Sequence, residues 1–176
     1  VAANKMDLPS AEVNLKRMQA TFPSVLFIPC AGDAELALRE AHKKGLINYI
    51  PGEDHFTLKE GLNPQQKTAL EHIDKTVLKK FGSTGVQDIL NKVVFDLLHY
   101  MAIYPGGANK LEDKNGNILP DCFLLGPGST ALDFAFRLHT DIGRNFVKAI
   151  DVKTKRVVGK DHVLKHRDVI EIAVKK

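Results

Sequence analysis

Four consecutive apolar residues, Val25-Leu26-Phe27-Ile28, lie between two stretches with helical spacing, and they constrain the fold more than any other segment. Before them, Ala11, Leu15, Met18 and Phe22 recur at a helical period, with Pro9 at an early helical position and Pro23 as the stop. After them, residues 33–44 read as a second helix, with basic residues in its last turn and Gly45 ending it. Residues 1–4 read as the end of an earlier strand. An apolar run without alternation suits a strand covered on both faces, as in parallel sheets. The βαβα order makes the two strands parallel, with a right-handed crossover. Open sheets of this kind bind ligands beyond the carboxyl ends of their strands. The loops after residues 1–4 and 25–28 are therefore where chemistry is expected.

Those loops read Asn4-Lys5-Met6-Asp7 and Pro29-Cys30-Ala31-Gly32. A guanine base presents two adjacent donors, N1–H and the 2-amino group, and one carboxylate accepts both. Asp7 supplies that carboxylate. Adenine has an acceptor at N1 and no 2-amino group, so it leaves the same carboxylate unpaired. Lys5 can lay its methylene stem along the flat base. Asn4 can tie the neighbouring loops and reach the base from its other side. In the second loop the backbone N–H of Ala31 is placed to donate to guanine O6, with Cys30 beside it. Adenine carries an amine there and is repelled.

The remainder divides by pattern. Residues 1–62 hold the βαβα segment and end in an irregular connector, 46–61, with Pro51-Gly52 as a turn. Residues 63–98 are helical. Asn63-Pro64 is a start signal; Leu70, Ile73, Val77 and Phe81 make one stripe; Gly82-Ser83-Thr84-Gly85 is a break. Val86, Ile89, Leu90, Val93, Val94, Leu97 and Leu98 make a second stripe, read as core. Residues 99–176 read as ββαβββ, strands at 99–104, 122–125, 147–152, 157–158 and 169–174 around a helix capped by Ser129. That is a β-grasp arrangement. The fold class is thus α/β followed by α+β.

With 176 residues, 44% hydrophobic and 26% charged, the chain suits one or two soluble domains. No apolar run approaches the roughly 18 residues of a membrane span. Cys30 and Cys122 match no metal or redox spacing and read as reduced thiols of a cytoplasmic protein. The net charge of +4 is unevenly placed. Residues 1–98 carry 12 Lys/Arg and 12 Asp/Glu, whereas residues 99–176 carry 13 and 9. Eight basic residues lie between Arg144 and Arg167, opposed only by Asp151 and Asp161. Two readings stand for Lys153, Lys155, Arg156 and Lys160: contacts to an RNA backbone, or a solvated strand face and turn. His162 and His166 lack a third ligand at metal spacing. His139 with Asp141 reads as a local cap, and Glu53-Asp54-His55 as an exposed connector.

The stretches "NKMDLPSAEVNLKRM", "CAGDAELALREAHKKGLINYIPG", "STGVQDILNKVVFDLLHYMAIYPGG" and "LPDCFLLGPGSTALDFAFRLHTDIGRNF" resemble, in that order, the YchF-related branch of the Obg family of GTPases, in its archaeal and fungal form. The first two loops are similar to the fourth and fifth guanine motifs of P-loop GTPases, with Cys30-Ala31 where Ser-Ala is usual. "HTDIGRNF" and "RDVIEI" make residues 99–176 similar to a TGS domain. The resemblance covers essentially the whole chain. It implies a guanine nucleotide, GTP or GDP, with Mg2+ expected only in a full-length protein, and a translation-associated role on ribosomes or RNA. No G-x-x-x-x-G-K-[ST] occurs. Gly159-Lys160 lacks the rest of the pattern, and Asp113-Lys114-Asn115-Gly116 is turn chemistry in the wrong domain. The expectation is the C-terminal portion of a longer GTPase, with phosphate-binding and switch elements upstream of Val1. By itself such a piece neither hydrolyses GTP nor binds it tightly. The competing expectation is an RNA- or ribosome-binding β-grasp module without nucleotide function.

Overall fold

The computed structural model describes residues 1–107, 111–112, 115–118 and 121–175, and divides into two compact units, Val1–Lys92 and Val93–Lys176. No helix among the described residues is long and apolar enough to cross a membrane.

In the first unit, β1 (Ala2–Ala3) pairs in parallel with β2 (Ile28–Pro29), and α1 (Ala11–Thr21) connects them. The observed β2 is shorter than the apolar run predicts. Val25 and Leu26 are exposed, and the two-stranded ladder covers only the last residue of that run. Helix α1 starts after a turn at Leu8–Ser10 rather than at Pro9. Its Leu15 packs with Ala3, Met6 and Phe27, while Phe22, past the last turn, is exposed. Helix α2 (Gly32–Lys43) follows, and Gly45 ends it with φ 73°.

The expected irregular connector contains a hairpin, β3 (Ile47–Tyr49) against β4 (Phe56–Leu58). Ile47 and Tyr49 are buried and Asn48 is exposed, a period of two too short to stand out in the sequence. Asn63 caps α3 (Pro64–Ile73) in a reciprocal box with Gln66. The helix passes through a π-helical turn at Asp74–Leu78 into α4 (Lys79–Phe81). Leu70 and Leu78 join Leu38, Ile47 and Tyr49 in one cluster, and Val77 joins Ala31 and Ala34 in another. The helical segment from residue 63 thus packs directly on the βαβα part. After the break comes α5 (Val86–Asn91). The second stripe is not core: Leu90, Val93, Leu97 and Leu98 are all exposed. The backbone becomes π-helical over Lys92–Leu97, so residues spaced for an α-helix no longer share one face.

The second unit is a five-stranded mixed sheet in the order β6-β5-β9-β7-β8. Its strands are β5 (Met101–Pro105), β6 (Phe123–Leu125), β7 (Phe146–Asp151), β8 (Arg156–Val158) and β9 (Val169–Val174). The first and last strands, β5 and β9, run parallel at the centre, and the other pairs are antiparallel, which is the β-grasp topology. Helix α6 (Ala131–Leu138) buries Ala131, Phe134 and Ala135, and the first two share a cluster with Ile103, Leu125, Ala149, Leu164 and Ile170. A short α7 (Thr140–Arg144), not anticipated, follows; its start is capped by His139 Nδ1, which accepts from the Asp141 N–H. The cap of α6 is Thr130, not Ser129. Thr130 has Asp133 three residues on to complete a capping box, whereas the Ser129 hydroxyl donates to the Gly126 carbonyl. Of the turn expected at residues 113–116, Asp113 and Lys114 lie outside the described residues; Gly116 has φ 84°.

Candidate base-recognition site

The strand end and two loops converge in the first unit. Met6 is buried among Ala3, Leu15 and Phe27, so the loop is anchored by its one apolar residue. Its flanks, Asn4 and Lys5, are exposed, and Asp7 is half-buried. The backbone turns at Lys5 through φ 67°, an uncommon conformation for a residue with a side chain. Two main-chain bonds hold the turn: the Met6 N–H donates to the Cys30 carbonyl at 3.1 Å, and the Leu8 N–H to the Lys5 carbonyl at 3.1 Å. The Asp7 carboxylate has no hydrogen-bond or ion-pair partner among the described residues.

Asn4 joins the loops. Its Oδ1 accepts from the Gly32 N–H at 3.0 Å and from the Cys30 thiol at 3.7 Å. The thiol bond is long, as expected for a weak sulfur donor. Burial pushes the Cys30 thiol pKa up, so it stays protonated and able to donate. The Cys30 N–H donates back to the Ala3 carbonyl at 2.9 Å. A cleft of about 320 Å³ along β1 and α1 is lined in part by Asn4, Lys5 and Met6, but not by Asp7, Cys30 or Ala31.

One expectation changes. The Ala31 N–H is not a free donor: it bonds the Thr84 carbonyl at 2.9 Å, and Ala31 is almost wholly buried. The turn at residues 82–85, read from the sequence as a chain break, folds onto the second loop. A Cβ on Gly85 would lie 1.9 Å from the Pro29 carbonyl oxygen, so only glycine fits there. The Thr84 hydroxyl donates to Glu35 Oε2 at 2.6 Å, the Tyr49 hydroxyl donates to the same oxygen at 2.7 Å, and Arg39 Nε donates to Glu35 Oε1 at 2.5 Å. Desolvation alone would raise the Glu35 pKa, but bonds from Thr84, Arg39 and Tyr49 outweigh it and hold the carboxyl below its ordinary value. Burial pushes the Tyr49 phenol up to about 12, helped by the Glu35 charge. None of Thr84, Glu35 and Tyr49 stands out in the sequence. The available signal is Glu35 sharing a helix face with Leu38, an acid where an apolar residue belongs.

The second unit places Lys153 and Lys155 in the turn between β7 and β8, and Arg156 at the start of β8. Asp151 shapes this turn by accepting from the Lys153 and Thr154 N–H groups and the Thr154 hydroxyl. Lys160 lies beyond the other end of β8, beside the start of α6, where its carbonyl accepts from the Leu132 N–H. All four are exposed and make no ion pair among the described residues. His166 accepts from the Ala102 N–H and meets the Phe95 ring edge-on, a structural role. Glu53, Asp54 and His55 bring ligand atoms within 4.8 Å of one another, but all three are exposed. Asp54 there is held below its ordinary pKa by its own His55.

Comparison with known proteins places two family models on the chain. Residues 2–107 match the Obg-like GTPase YGR210-like, G4 motif-containing domain, and residues 114–174 match the TGS domain. An uncharacterized GTP-binding protein of Methanocaldococcus jannaschii is 44% identical over 173 residues, 98% of this chain and 44% of that protein. One from Schizosaccharomyces pombe is 29% identical over 141 residues, 74% of this chain and 34% of that protein. The crystal structure of a GTP binding protein from Pyrococcus horikoshii OT3 is 40% identical, with a TM-score of 0.66, and aligns with 99% of this chain and 45% of that one. The chain thus spans less than half the length of these relatives.

Proposed function

The chain belongs to the YGR210-like Obg-like GTPases, with a TGS domain following its G4-motif domain, and on that premise we propose that its first unit reads the guanine base of GTP or GDP. Asp7 accepts from N1–H and the 2-amino group, Lys5 covers the base, and Asn4 ties the loop to Cys30 and Gly32. The observation that supports this most is a carboxylate with no partner among the described residues, on a loop fixed from below by Met6 and from the side by Asn4. The phosphates and Mg2+ are handled by parts of the intact protein that this chain does not contain. No G-x-x-x-x-G-K-[ST] is present here, so hydrolysis belongs to the intact protein.

The test is Asp7→Asn in the intact protein, titrated with fluorescent GDP. The amide turns one oxygen acceptor into a donor facing the 2-amino group, and loss of a charge-assisted pair of bonds weakens GDP about a hundredfold. Xanthosine diphosphate, with a carbonyl at that position, gains affinity in the same variant. Unchanged GDP affinity would falsify the assignment.

A second reading concerns the TGS domain. We propose that it contacts RNA or a ribosomal surface in the cytoplasm through Lys153, Lys155, Arg156 and Lys160, which supports a role in translation. What favours this reading is four exposed cations without ion-pair partners among the described residues. Replacing any one of them with Gln leaves one phosphate unneutralised and reduces the slope of log affinity against log salt by about 1. RNA binding that is insensitive to salt sinks this reading.

A further inference from the structure

We propose that the turn at residues 82–85 is a latch on the guanine-reading loop: the Thr84 carbonyl occupies the Ala31 N–H that guanine O6 takes, so base binding displaces Thr84. This rests on the reading that the base is recognised by Asp7 and the loop after β2.

Ala31 offers one N–H, and the Thr84 carbonyl accepts it at 2.9 Å. A second oxygen on the same hydrogen would have to lie close to the first, and both carry partial negative charge. Sharing one hydrogen between two oxygens weakens both bonds, so the two acceptors compete for it. The neighbouring Gly32 N–H offers no substitute, because it is committed to Asn4 Oδ1.

The turn has the features of a part that closes in a defined place and can let go. Gly82 and Gly85 bracket it with φ of 80° and 76°, a conformation glycine enters without penalty. Three bonds seat what lies between them. The Ser83 hydroxyl donates to Asp88 Oδ2 at 2.6 Å and accepts from the Gly85 N–H at 2.9 Å, and the Thr84 hydroxyl donates to Glu35 Oε2 at 2.6 Å. Glu35 lies one turn into the helix that Ala31 caps, and its N–H bonds the Ala31 carbonyl. The latch is therefore fastened to the helix whose N-cap N–H it blocks. Gly85 leads directly into α5, so releasing the latch shifts the start of that helix and reports base occupancy to it.

A latch and a mere support predict opposite signs. If residues 82–85 only brace the loop, loosening them weakens nucleotide binding. If they compete with the base, loosening them strengthens it. Thr84→Val keeps the shape and removes the bond to Glu35. Gly85→Ala places a Cβ where the Pro29 carbonyl stands and forces the turn away. In the intact protein, Thr84→Val tightens fluorescent-GDP binding about three- to tenfold, as expected when a competing closed state is depopulated, and Gly85→Ala tightens it at least as much. Affinity that is unchanged or weaker in Thr84→Val overturns the latch. If Gly85→Ala fails to fold, the structure of the wild-type GDP complex decides: Ala31 N still within hydrogen-bond distance of the Thr84 carbonyl also overturns it. Asp7→Asn is titrated in parallel. If it leaves GDP binding unchanged, the base assignment itself falls, and the latch with it; if it weakens GDP while Thr84→Val does nothing, the latch alone falls.

Discussion

Helices α3 and α6 begin with the same device, a reciprocal capping box, made by Asn63 with Gln66 in the first unit and Thr130 with Asp133 in the second. What they cover differs. Helix α6 lays Ala131 and Phe134 into one cluster shared by the sheet, and the two aromatic rings of Phe123 and Phe134 meet edge-on at 5.9 Å. Helix α3 contributes Leu70, and the apolar burial of its unit is split among separate clusters. Between them lies a polar network centred on Glu35. The second unit is held by apolar contact and presents its chemistry as exposed charge. The first is held partly by hydrogen bonds between loops, which are the same loops proposed to read a base. A site made of main-chain donors and acceptors needs polar support, because only polar partners fix the direction of an N–H or a carbonyl.

The sharpest way to break this comparison is to remove the central ring of the second unit. Phe134→Ala costs about 4 kcal/mol, from the transfer energy of the missing ring and the cavity left behind. Hydrogen exchange followed by mass spectrometry should show the loss across β5, β7 and β9, with the loops around Asn4 and Thr84 keeping their protection. A uniform loss in both units would contradict the view that they are stabilised separately.

Next in size is the polar network. Glu35→Ala leaves the Tyr49 and Thr84 hydroxyls without their acceptor and Arg39 without its partner, at about 3 kcal/mol. Glu35→Gln retains the size and costs less. The pH dependence follows from the depressed carboxyl. Glu35 is more acidic folded than unfolded, so its contribution is fully present above its ordinary value of 4.5 and is lost as pH falls through the lower folded value. Urea midpoints measured from pH 7 down to 3 should fall less steeply for Glu35→Gln than for the wild type. Parallel curves would show that the carboxylate charge is not what holds the network.

The two units also differ in how far the sequence discloses them. Residues 169–174 form β9 as expected, because four of the six are β-branched apolar residues and a turn at 166–168 marks the start. The hairpin β3–β4 is hidden, since three-residue strands carry too little alternation to separate from loop. The cap of α6 is misplaced by one residue because Ser129 and Thr130 are both hydroxyls, and only the partner Asp133 selects between them. At the candidate site, the parallel βαβ order is enough to bring Asn4 beside Cys30 and Gly32. The bond from Ala31 to Thr84 is not legible in any residue type. A carbonyl meeting an N–H has no side-chain signature, and its only trace is a glycine pair around two hydroxyl residues.

The smallest effect separates the units most cleanly. Lys5 and Lys155 both adopt left-handed backbone, with φ of 67° and 56°. A side chain there costs about 1–2 kcal/mol relative to glycine, while glycine loses about 0.5–1 kcal/mol more backbone entropy on folding. Lys5→Gly and Lys155→Gly should therefore each stabilise by about 0.5 kcal/mol, read as a small rise in the urea midpoint. The two lysines differ in what the backbone serves. In the turn between β7 and β8, Asp151 already fixes the main chain, and the Lys155 side chain only adds charge to an exposed tip. In the loop after β1, the left-handed turn sets where the Lys5 stem stands relative to Asp7. Lys5→Gly should then weaken fluorescent-GDP binding despite its gain in stability, and Lys155→Gly should leave that binding unchanged. If both variants bind GDP as the wild type does, the Lys5 conformation is a turn like any other, and its stem plays no part in covering the base.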